Sequence, residues 1–150
     1  MNFTEIVKSI KETSVPVKYP YSELSAQRLG TCITELQNLA NAMAEDEDCT
    51  IICGHRSAAA QNKAFAQGVS EKRYPDSLHN IYPSAALDIS PYPIDWEDKG
   101  RFYMFIGRVQ AKAVSMNMRI RCGADWDGDG WTADQKLHDL VHIEYLGPIK

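Results

Sequence analysis

The sequence predicts an α+β domain in which long helices pack against one side of a small antiparallel sheet. Two long segments, 23–45 and 98–117, carry apolar residues at helical spacing. Four short apolar runs bounded by Gly, Pro or polar residues are typical of strands. A length of 150 residues, of which 44% are hydrophobic, fits one domain, 1–150, with a single core.

The first predicted helix spans Glu23–Glu45, and Ser22, which follows Pro20, is its N-cap. The next predicted element is a short buried strand over Thr50–Cys53, which Gly54 ends. We expect the core-facing stripe of the helix to consist of Leu24, Leu29, Ile33, Leu36, Leu39, Ala40 and Met43.

A shorter helix is predicted over Ala58–Gln67. Ser57 is placed to cap its N terminus, and Gly68 is placed to end it. The segment 69–84 is polar and contains two prolines, so we expect a loop. A small strand, Ala85–Ile89, follows the loop, and Pro91 and Pro93 stop it.

The second long helix is predicted over Asp98–Asn117. Two strands follow it, Arg119–Gly123 and Val141–Leu146, with a loop over Ala124–Gln135 between them. We expect the inward-facing residues of the helix to be Phe102, Phe105, Ile106, Val109 and Val114.

The charge balance argues against a nucleic-acid partner. The net charge is −4, and no run of Lys or Arg would follow a phosphate backbone. Residues Met1–Ile10 are amphipathic and lack the basic start and apolar stretch of a signal peptide. No apolar run approaches the roughly 20 residues of a membrane span. We therefore expect synthesis in the cytoplasm and no membrane insertion.

The four cysteines are predicted to be reduced and mostly buried. They are Cys32, Cys49, Cys53 and Cys122, and none belongs to a Cys-x-x-Cys pair of the kind that binds zinc. A disulfide between Cys49 and Cys53 is compatible with the sequence but is not required by it.

Three residues have the chemistry of an open zinc site: His79, Asp88 and His142. Two imidazoles and one carboxylate leave a fourth position for water, as in catalytic zinc sites. His79 lies in a predicted loop, Asp88 ends a predicted strand and His142 lies on the last strand. Three elements would have to meet at one sheet edge. The alternative is that each histidine is an ordinary core or surface residue.

Two carboxylates flank His142 and are candidates for a general base, Asp139 and Glu144. Residues two apart on a strand share a face, so strand parity alone favours Glu144. Asp139 reaches the site only if the strand begins after it or a turn redirects it. His138, beside Asp139, is expected to be a surface residue.

Residues 125–130, Asp-Trp-Asp-Gly-Asp-Gly, match the start of a calcium loop. Asp125, Asp127 and Asp129 stand at alternate positions, but the twelfth position holds Lys136 instead of a bidentate Glu. The full EF-hand pattern therefore fails. An acidic turn is the favoured interpretation, and an irregular calcium site is the alternative.

An ordered set of motifs extends over most of the chain, roughly residues 21–147. These motifs resemble those of the M15 zinc peptidases, and most nearly those of the phage L-alanyl-D-glutamate endopeptidases used as endolysins. The resemblance implies a Hedgehog/D,D-peptidase-like fold. The motifs are Gly54-His55-Arg56-Ser57 with Gln61, Phe65 and Gly68; Ser77-Leu78-His79-Asn80; Pro83-Ser84-Ala85-Ala86-Leu87-Asp88; Pro91-Tyr92-Pro93 with Trp96; and Asp139-Leu140-Val141-His142-Ile143-Glu144.

The resemblance also implies roles for the site residues. His79, Asp88 and His142 match the zinc ligands of that family. By the same resemblance, Asp139 is the catalytic carboxylate and Glu144 becomes a group that orients a ligand, against the preference from strand parity.

Arg56 matches an arginine that binds substrate or stabilises a developing oxyanion. Ser77 and Gln61 would be supporting polar groups or substrate contacts.

The activity implied by the resemblance is zinc-dependent hydrolysis of the peptidoglycan stem peptide at the L-Ala–D-Glu amide, for lysis of a phage host. A monomer without a wall-binding domain would be made in the host cytoplasm and reach the wall with the help of a separate membrane-permeabilising protein. Two alternatives stay open: a D,D-carboxypeptidase that acts on terminal D-Ala, and a zinc-stabilised binding protein without catalysis.

Overall fold

A computed structural model describes residues 18–150, so the predicted amphipathic segment Met1–Ile10 lies outside the described residues. None of the helices in the described range is long and apolar enough to cross a membrane. A short 3₁₀ turn, Leu78–Asn80, precedes the second strand. The helices and strands are, in chain order, α1 (Glu23–Leu29), α2 (Thr34–Asp46), β1 (Cys49–Cys53), α3 (Ala58–Ala66), β2 (Ala86–Pro91), α4 (Lys99–Ser115), β3 (Met118–Cys122) and β4 (His142–Pro148).

The four strands form one antiparallel sheet in the order β1-β2-β4-β3. The last strand in sequence is therefore inserted between β2 and β3. This arrangement pairs Asp88 of β2 directly with His142 of β4. The predicted α+β class with a small antiparallel sheet is confirmed.

The hydrophobic core lies between one face of the sheet and the two long helices. Leu87 and Ile143 are fully buried members of this core. Successive side chains on a strand point to opposite faces, so Asp88 and His142 project from the other face. The helices contribute Leu36, Leu39, Met43, Phe105, Ile106 and Val109 to the core.

The prediction of one helix over Glu23–Glu45 is wrong, because α1 and α2 are separate helices. The chain between them pairs with the loop at Ser84: the Ser84 N–H donates to the Thr31 carbonyl at 2.8 Å, and the Ile33 N–H donates to the Ser84 carbonyl at 3.0 Å. These long-range bonds replace the helical ones. Leu24, predicted to face the core, is instead 54% exposed on α1.

Two further predictions need correction. Asp88 lies inside β2, because the strand continues to Pro91. Pro91 pairs only with Cys49 of β1, because the pairing of β2 with β4 has already ended at Asp88. The N–H that proline lacks is therefore not needed for a hydrogen bond to β4. Val114 is exposed, since Ala113 takes the inward position on α4.

The predicted caps and thiols are confirmed. The hydroxyls of Ser22 and Ser57 each accept a backbone N–H three residues later, at 3.2 Å. Gly68 follows α3 with a φ of 71°. All four cysteines are free, and three of them are buried, whereas Cys53 is half-buried.

Candidate metal centre

His79 is presented by the 3₁₀ turn that interrupts the predicted loop. The Ser77 hydroxyl accepts the His79 N–H at 3.3 Å, and the Asn80 side-chain oxygen accepts the Ser77 N–H at 3.2 Å. This reciprocal capping stabilises the short turn that carries His79. Ser77 is buried and uses its hydroxyl for the turn, so the structure places it as a support of His79.

The three predicted ligands converge on one point. The Nε2 atom of His79 lies 3.1 Å from Asp88 Oδ1 and 3.1 Å from His142 Nδ1, and His142 Nδ1 lies 3.0 Å from Asp88 Oδ1. Two ligands of a tetrahedral zinc with bonds of about 2.0 Å are separated by about 3.3 Å. The three atoms therefore have the mutual spacing of ligands to one small cation.

The protonation pattern also fits a cation. His79 Nδ1 lies 2.6 Å from the Gly54 carbonyl, which accepts only, so this nitrogen carries the proton. His142 Nε2 donates to Glu144 Oε1 at 3.1 Å in the same way. In the neutral histidines, the two remaining nitrogens and the Asp88 oxygen are all acceptors. Three acceptors facing one another repel unless a positive charge lies between them.

The electrostatics of the site agree with this reasoning. Burial lowers the pKa of His79, but the charge and hydrogen bond of Asp88 outweigh it and raise the pKa to about 10. Burial raises the pKa of Asp88, but His79 and His142 outweigh it and hold that pKa well below its usual range. The pKa of His142 is raised despite burial, through its hydrogen bonds to Asp88 and Glu144. The cluster thus stabilises positive charge, which a divalent metal would supply.

Glu144 is the outer partner of His142. Its Oε2 accepts the Arg121 Nε–H at 2.8 Å and a second guanidinium N–H of the same residue. Burial raises the pKa of Glu144, but these bonds and the one to His142 bring it down to about 2. The sequence analysis did not identify Arg121 as a site residue. Its role could have been inferred only from the pairing of β3 with β4, which places it opposite Glu144.

Trp126 completes this side of the site. Its ring lies 5.3 Å from the His142 ring, and the Arg121 guanidinium lies 5.9 Å from the Trp126 ring. The indole N–H donates to the Leu137 carbonyl at 2.9 Å, which holds the ring in place. The loop that contains the three aspartates is thereby attached to the wall of the site.

Arg56 approaches the ligand atoms from the side of the Asp88 carboxylate and Cys53. Its Nη2 is 3.6 Å from Asp88 Oδ2, and its Nη1 donates to Gln61 Oε1 at 3.1 Å. Its backbone N–H donates to the His79 carbonyl at 2.7 Å. The Arg56 side chain is 18% exposed, and its Nη2 lies beside the carboxylate that would hold the metal.

Asp139 precedes β4 and lies in a turn. Its N–H donates to the Gly123 carbonyl at 3.0 Å, and its own carbonyl accepts the His142 N–H at 3.2 Å. The strand therefore begins after Asp139, which was the condition for this side chain to approach the site. Burial and the charge of Asp88 raise the pKa of the Asp139 carboxyl. Neighbouring His138 is exposed, as expected, and bonds to Tyr103 at 3.0 Å.

Cys53 is a site residue that the sequence analysis treated only as a buried or pairing thiol. Its sulfur lies within 4.8 Å of ligand atoms of His79 and Asp88. The Arg56 Nη2 donates to it at 3.6 Å. Cys53 faces the site because it pairs with Asp88 across β1 and β2, next to an irregularity in the register.

The acidic loop uses its carboxylates to hold its own backbone and side chains. Asp125 accepts the N–H groups of Gly128 and Gly130 at 3.0 and 2.9 Å, and Asp129 accepts the Trp131 N–H at 2.8 Å. Oxygens of Asp125, Asp127 and Asp129 lie within 4.8 Å of one another. These bonds are those of an acidic turn, and the calcium site stays a prediction.

Comparisons with known proteins identify the class of this protein as a peptidase. A sequence model of the family described as phage L-alanyl-D-glutamate peptidase matches residues 17–146. The chain therefore belongs to the phage L-alanyl-D-glutamate peptidase family. No curated protein sequence matches it.

Among solved structures, the chain is similar to the Serratia marcescens L-Ala D-Glu endopeptidase ChiX, with a TM-score of 0.67 and 17% identity. The alignment covers 88% of this chain and 94% of that one. At this identity the likeness shows a shared fold.

Proposed function

We propose that this peptidase is a zinc-dependent endopeptidase that hydrolyses the L-Ala–D-Glu amide in the stem peptide of peptidoglycan. The observation that carries the proposal is the convergence of His79, Asp88 and His142 on a single point with three facing lone pairs. The family to which the chain belongs and the name of its structural neighbour support the bond that is cut.

In this proposal the two histidines and Asp88 hold the zinc. When bound, zinc supplies Lewis acidity, which polarises the scissile carbonyl and makes water easier to deprotonate. Asp139, whose carboxyl pKa is raised by burial and by the charge of Asp88, accepts a proton from the attacking water and delivers it to the leaving amine. Arg56 donates N–H groups to the oxyanion. Glu144 fixes the tautomer of His142.

We further propose that the chain is a single-domain, monomeric endolysin. It would be made in the host cytoplasm and act on the cell wall after a separate membrane-permeabilising protein releases it. The support for the endolysin role is that the chain belongs to a family of phage peptidases. Calcium binding by Asp125, Asp127 and Asp129 is tested by calcium titration, and unchanged melting temperature and activity would exclude it.

The test is mass spectrometry of soluble products from purified peptidoglycan, digested with and without a zinc chelator. Chelator-sensitive release of stem peptides that begin at D-Glu is the expected result. Loss of terminal D-Ala alone would instead indicate a D,D-carboxypeptidase. Absence of any product, together with one bound zinc per chain, would indicate a non-catalytic binding protein.

The ligand assignment has its own test, which does not depend on finding the substrate. His142→Ala is expected to lose bound zinc, because it removes one of three ligands. Metal analysis of the purified variant measures this directly. A normal zinc content in His142→Ala would refute the assignment, whatever the activity.

A further inference from the structure

Helix α3 buries a single side chain, and that side chain is an amide. Gln61 is 0% exposed, whereas the rest of α3 is exposed or half-buried. A helix normally buries an apolar stripe, and an amide out of water is unfavourable unless its hydrogen bonds are all made. The position of Gln61 therefore requires an explanation other than hydrophobic packing.

Every hydrogen-bonding position of the Gln61 amide is occupied. Its Nε2 donates to the Lys72 carbonyl at 2.6 Å and to the Ser70 hydroxyl at 2.9 Å. Its Oε1 accepts Arg56 Nη1 at 3.1 Å and Asn80 Nδ2 at 3.2 Å. A primary amide has two donor and two acceptor positions. Gln61 thus has neither exposed surface nor a free polar position with which to contact a substrate.

The orientation of the amide is determined by its partners. The Lys72 carbonyl accepts only, so Nε2 must face it and Oε1 must face the Arg56 guanidinium. On its other nitrogen the guanidinium approaches Cys53 and Asp88. One donor edge of Arg56 is therefore held by Gln61 while another remains beside the metal position.

The same amide reaches His79 through a second route. Asn80, which bonds to Gln61 Oε1, also donates to the Arg56 carbonyl at 3.0 Å and caps the turn that carries His79. The Arg56 N–H in turn donates to the His79 carbonyl. Gln61 is the point at which the arginine, the His79 turn and the loop at Ser70 are joined.

We propose that Gln61 is a positioning residue that fixes the Arg56 guanidinium for the reaction and does not touch the substrate. The inference rests on the proposed function, because it assumes that Arg56 acts on the substrate. If so, loosening Arg56 lowers kcat while KM changes little, since the interaction is made mainly in the transition state.

The experiment is a double-mutant cycle between Gln61 and Arg56, measured as kcat and KM on peptidoglycan fragments with the zinc-loaded enzyme. Gln61→Met keeps the length of the side chain and removes its polar atoms. We expect kcat to fall about 10-fold or more and KM to change less than about threefold. In an Arg56→Ala background the same change is expected to alter kcat less than about twofold.

Two variants provide the controls. Gln61→Glu keeps an acceptor for Arg56 and loses the donors to Ser70 and Lys72, so it is expected to retain more kcat than Gln61→Met. Asn62→Ala removes a bond from the same helix to the same loop, the one that Asn62 Oδ1 accepts from the Tyr74 N–H at 3.1 Å. The Asn62 side chain forms no hydrogen bond with Arg56 or Asn80, so this variant is expected to leave kcat unchanged.

The outcomes separate the inference from the proposed function. Wild-type activity of Arg56→Ala would remove the proposed role of Arg56 itself. An impaired Arg56→Ala on which Gln61→Met has an independent, multiplicative effect would overturn the positioning role. Failure of both Gln61 variants to show cooperative melting would assign Gln61 to the fold and would also overturn it.

Discussion

At the scale of single residues, two hydrogen bonds decide the chemistry of the site. The Gly54 carbonyl and the Glu144 carboxylate each accept a hydrogen bond from the outer ring N–H of one histidine. Each imidazole is then left with one lone pair, directed at Asp88. In the proposed metal site these two groups would orient the ligands without touching the metal, as is common around metal-bound histidine.

Asp139→Asn tests the proposed general base. The amide is nearly isosteric but cannot take a proton from water, so we expect activity to fall by about 10²–10⁴-fold. Zinc content should stay at the wild-type level, because Asp139 is not one of the three converging groups. Activity assays paired with metal analysis measure both. Retained activity would move the base to Glu144.

Glu144→Gln tests how much the negative charge of Glu144, which bonds to His142, contributes to stability at different pH values. The folded-state pKa of Glu144 is about 2, below its ordinary value of 4.5, so its contribution to stability is present above about pH 4.5 and is lost as the pH falls toward 2. In the metal-free protein, the unfolding free energy of the wild type should therefore fall more steeply between about pH 5 and 3 than that of Glu144→Gln.

Denaturant unfolding at several pH values provides the measurement. Glu47→Gln is the matched control, because Glu47 forms an ion pair with Arg108 on the exposed surface, at 2.6 Å. This variant measures how far the loss of one paired carboxylate elsewhere in the protein changes the unfolding free energy. Parallel curves for Glu144→Gln and wild type would contradict the prediction.

At the scale of elements, the site depends on close packing between the end of β1 and the turn that joins α1 to α2. A Cβ added to Gly54 would lie 2.3 Å from the Arg28 carbonyl and 2.4 Å from the Thr31 hydroxyl oxygen. Thr31 also accepts the His55 N–H at 2.8 Å. The end of β1 thus packs against the turn between α1 and α2, and the Gly54 carbonyl at this strand end accepts the hydrogen bond from His79.

Gly54→Ala is expected to destabilise the protein by about 1–3 kcal/mol, because backbone on both sides must move to admit the methyl group. It should also weaken zinc binding, since the displaced carbonyl holds His79. Gly107→Ala is the matched control: this glycine lies within α4 with nothing within 4 Å of an added Cβ. That change should stabilise by about 0.5–1 kcal/mol.

Urea unfolding and zinc titration of both glycine variants measure these effects. Equal unfolding free energies for the two variants would show that the contact at Gly54 does not constrain the strand end. Unchanged zinc affinity in Gly54→Ala would show that the Gly54 carbonyl does not control His79.

At the scale of the whole molecule, the sheet separates two functions. One face packs on α2 and α4 and provides the hydrophobic core, and the other face carries Asp88, His142 and Glu144. Strand pairing places Asp88 beside His142, which lies 54 residues later in the chain. A metal held there would therefore connect distant segments of the fold.

Removal of the metal should accordingly lower the melting temperature. A ligand at about 100 times its Kd stabilises the folded state by about 2.7 kcal/mol, which for a chain of this length corresponds to roughly 5–10 °C. Thermal melts with and without chelator measure the shift. The melt of His142→Ala should not respond to chelator. A wild type that melts at the same temperature in both conditions would contradict metal binding at this site.

The sequence by itself determined the fold class, most element positions and both helix caps, because these depend on local periodicity and on side chains close in sequence. It also determined the candidate ligand types at His79, Asp88 and His142. Tertiary structure decided where the long first helix breaks, because the bonds of Thr31 and Ile33 go to Ser84, far along the chain.

Tertiary structure also decided the surroundings of the site. The positions of Arg121 and Cys53 follow from strand pairing, and the burial of Gln61 follows from the packing of α3 on two loops. Such placements rest on contacts between residues distant in sequence. Local sequence patterns do not encode such contacts, so these positions could be identified only from the folded structure.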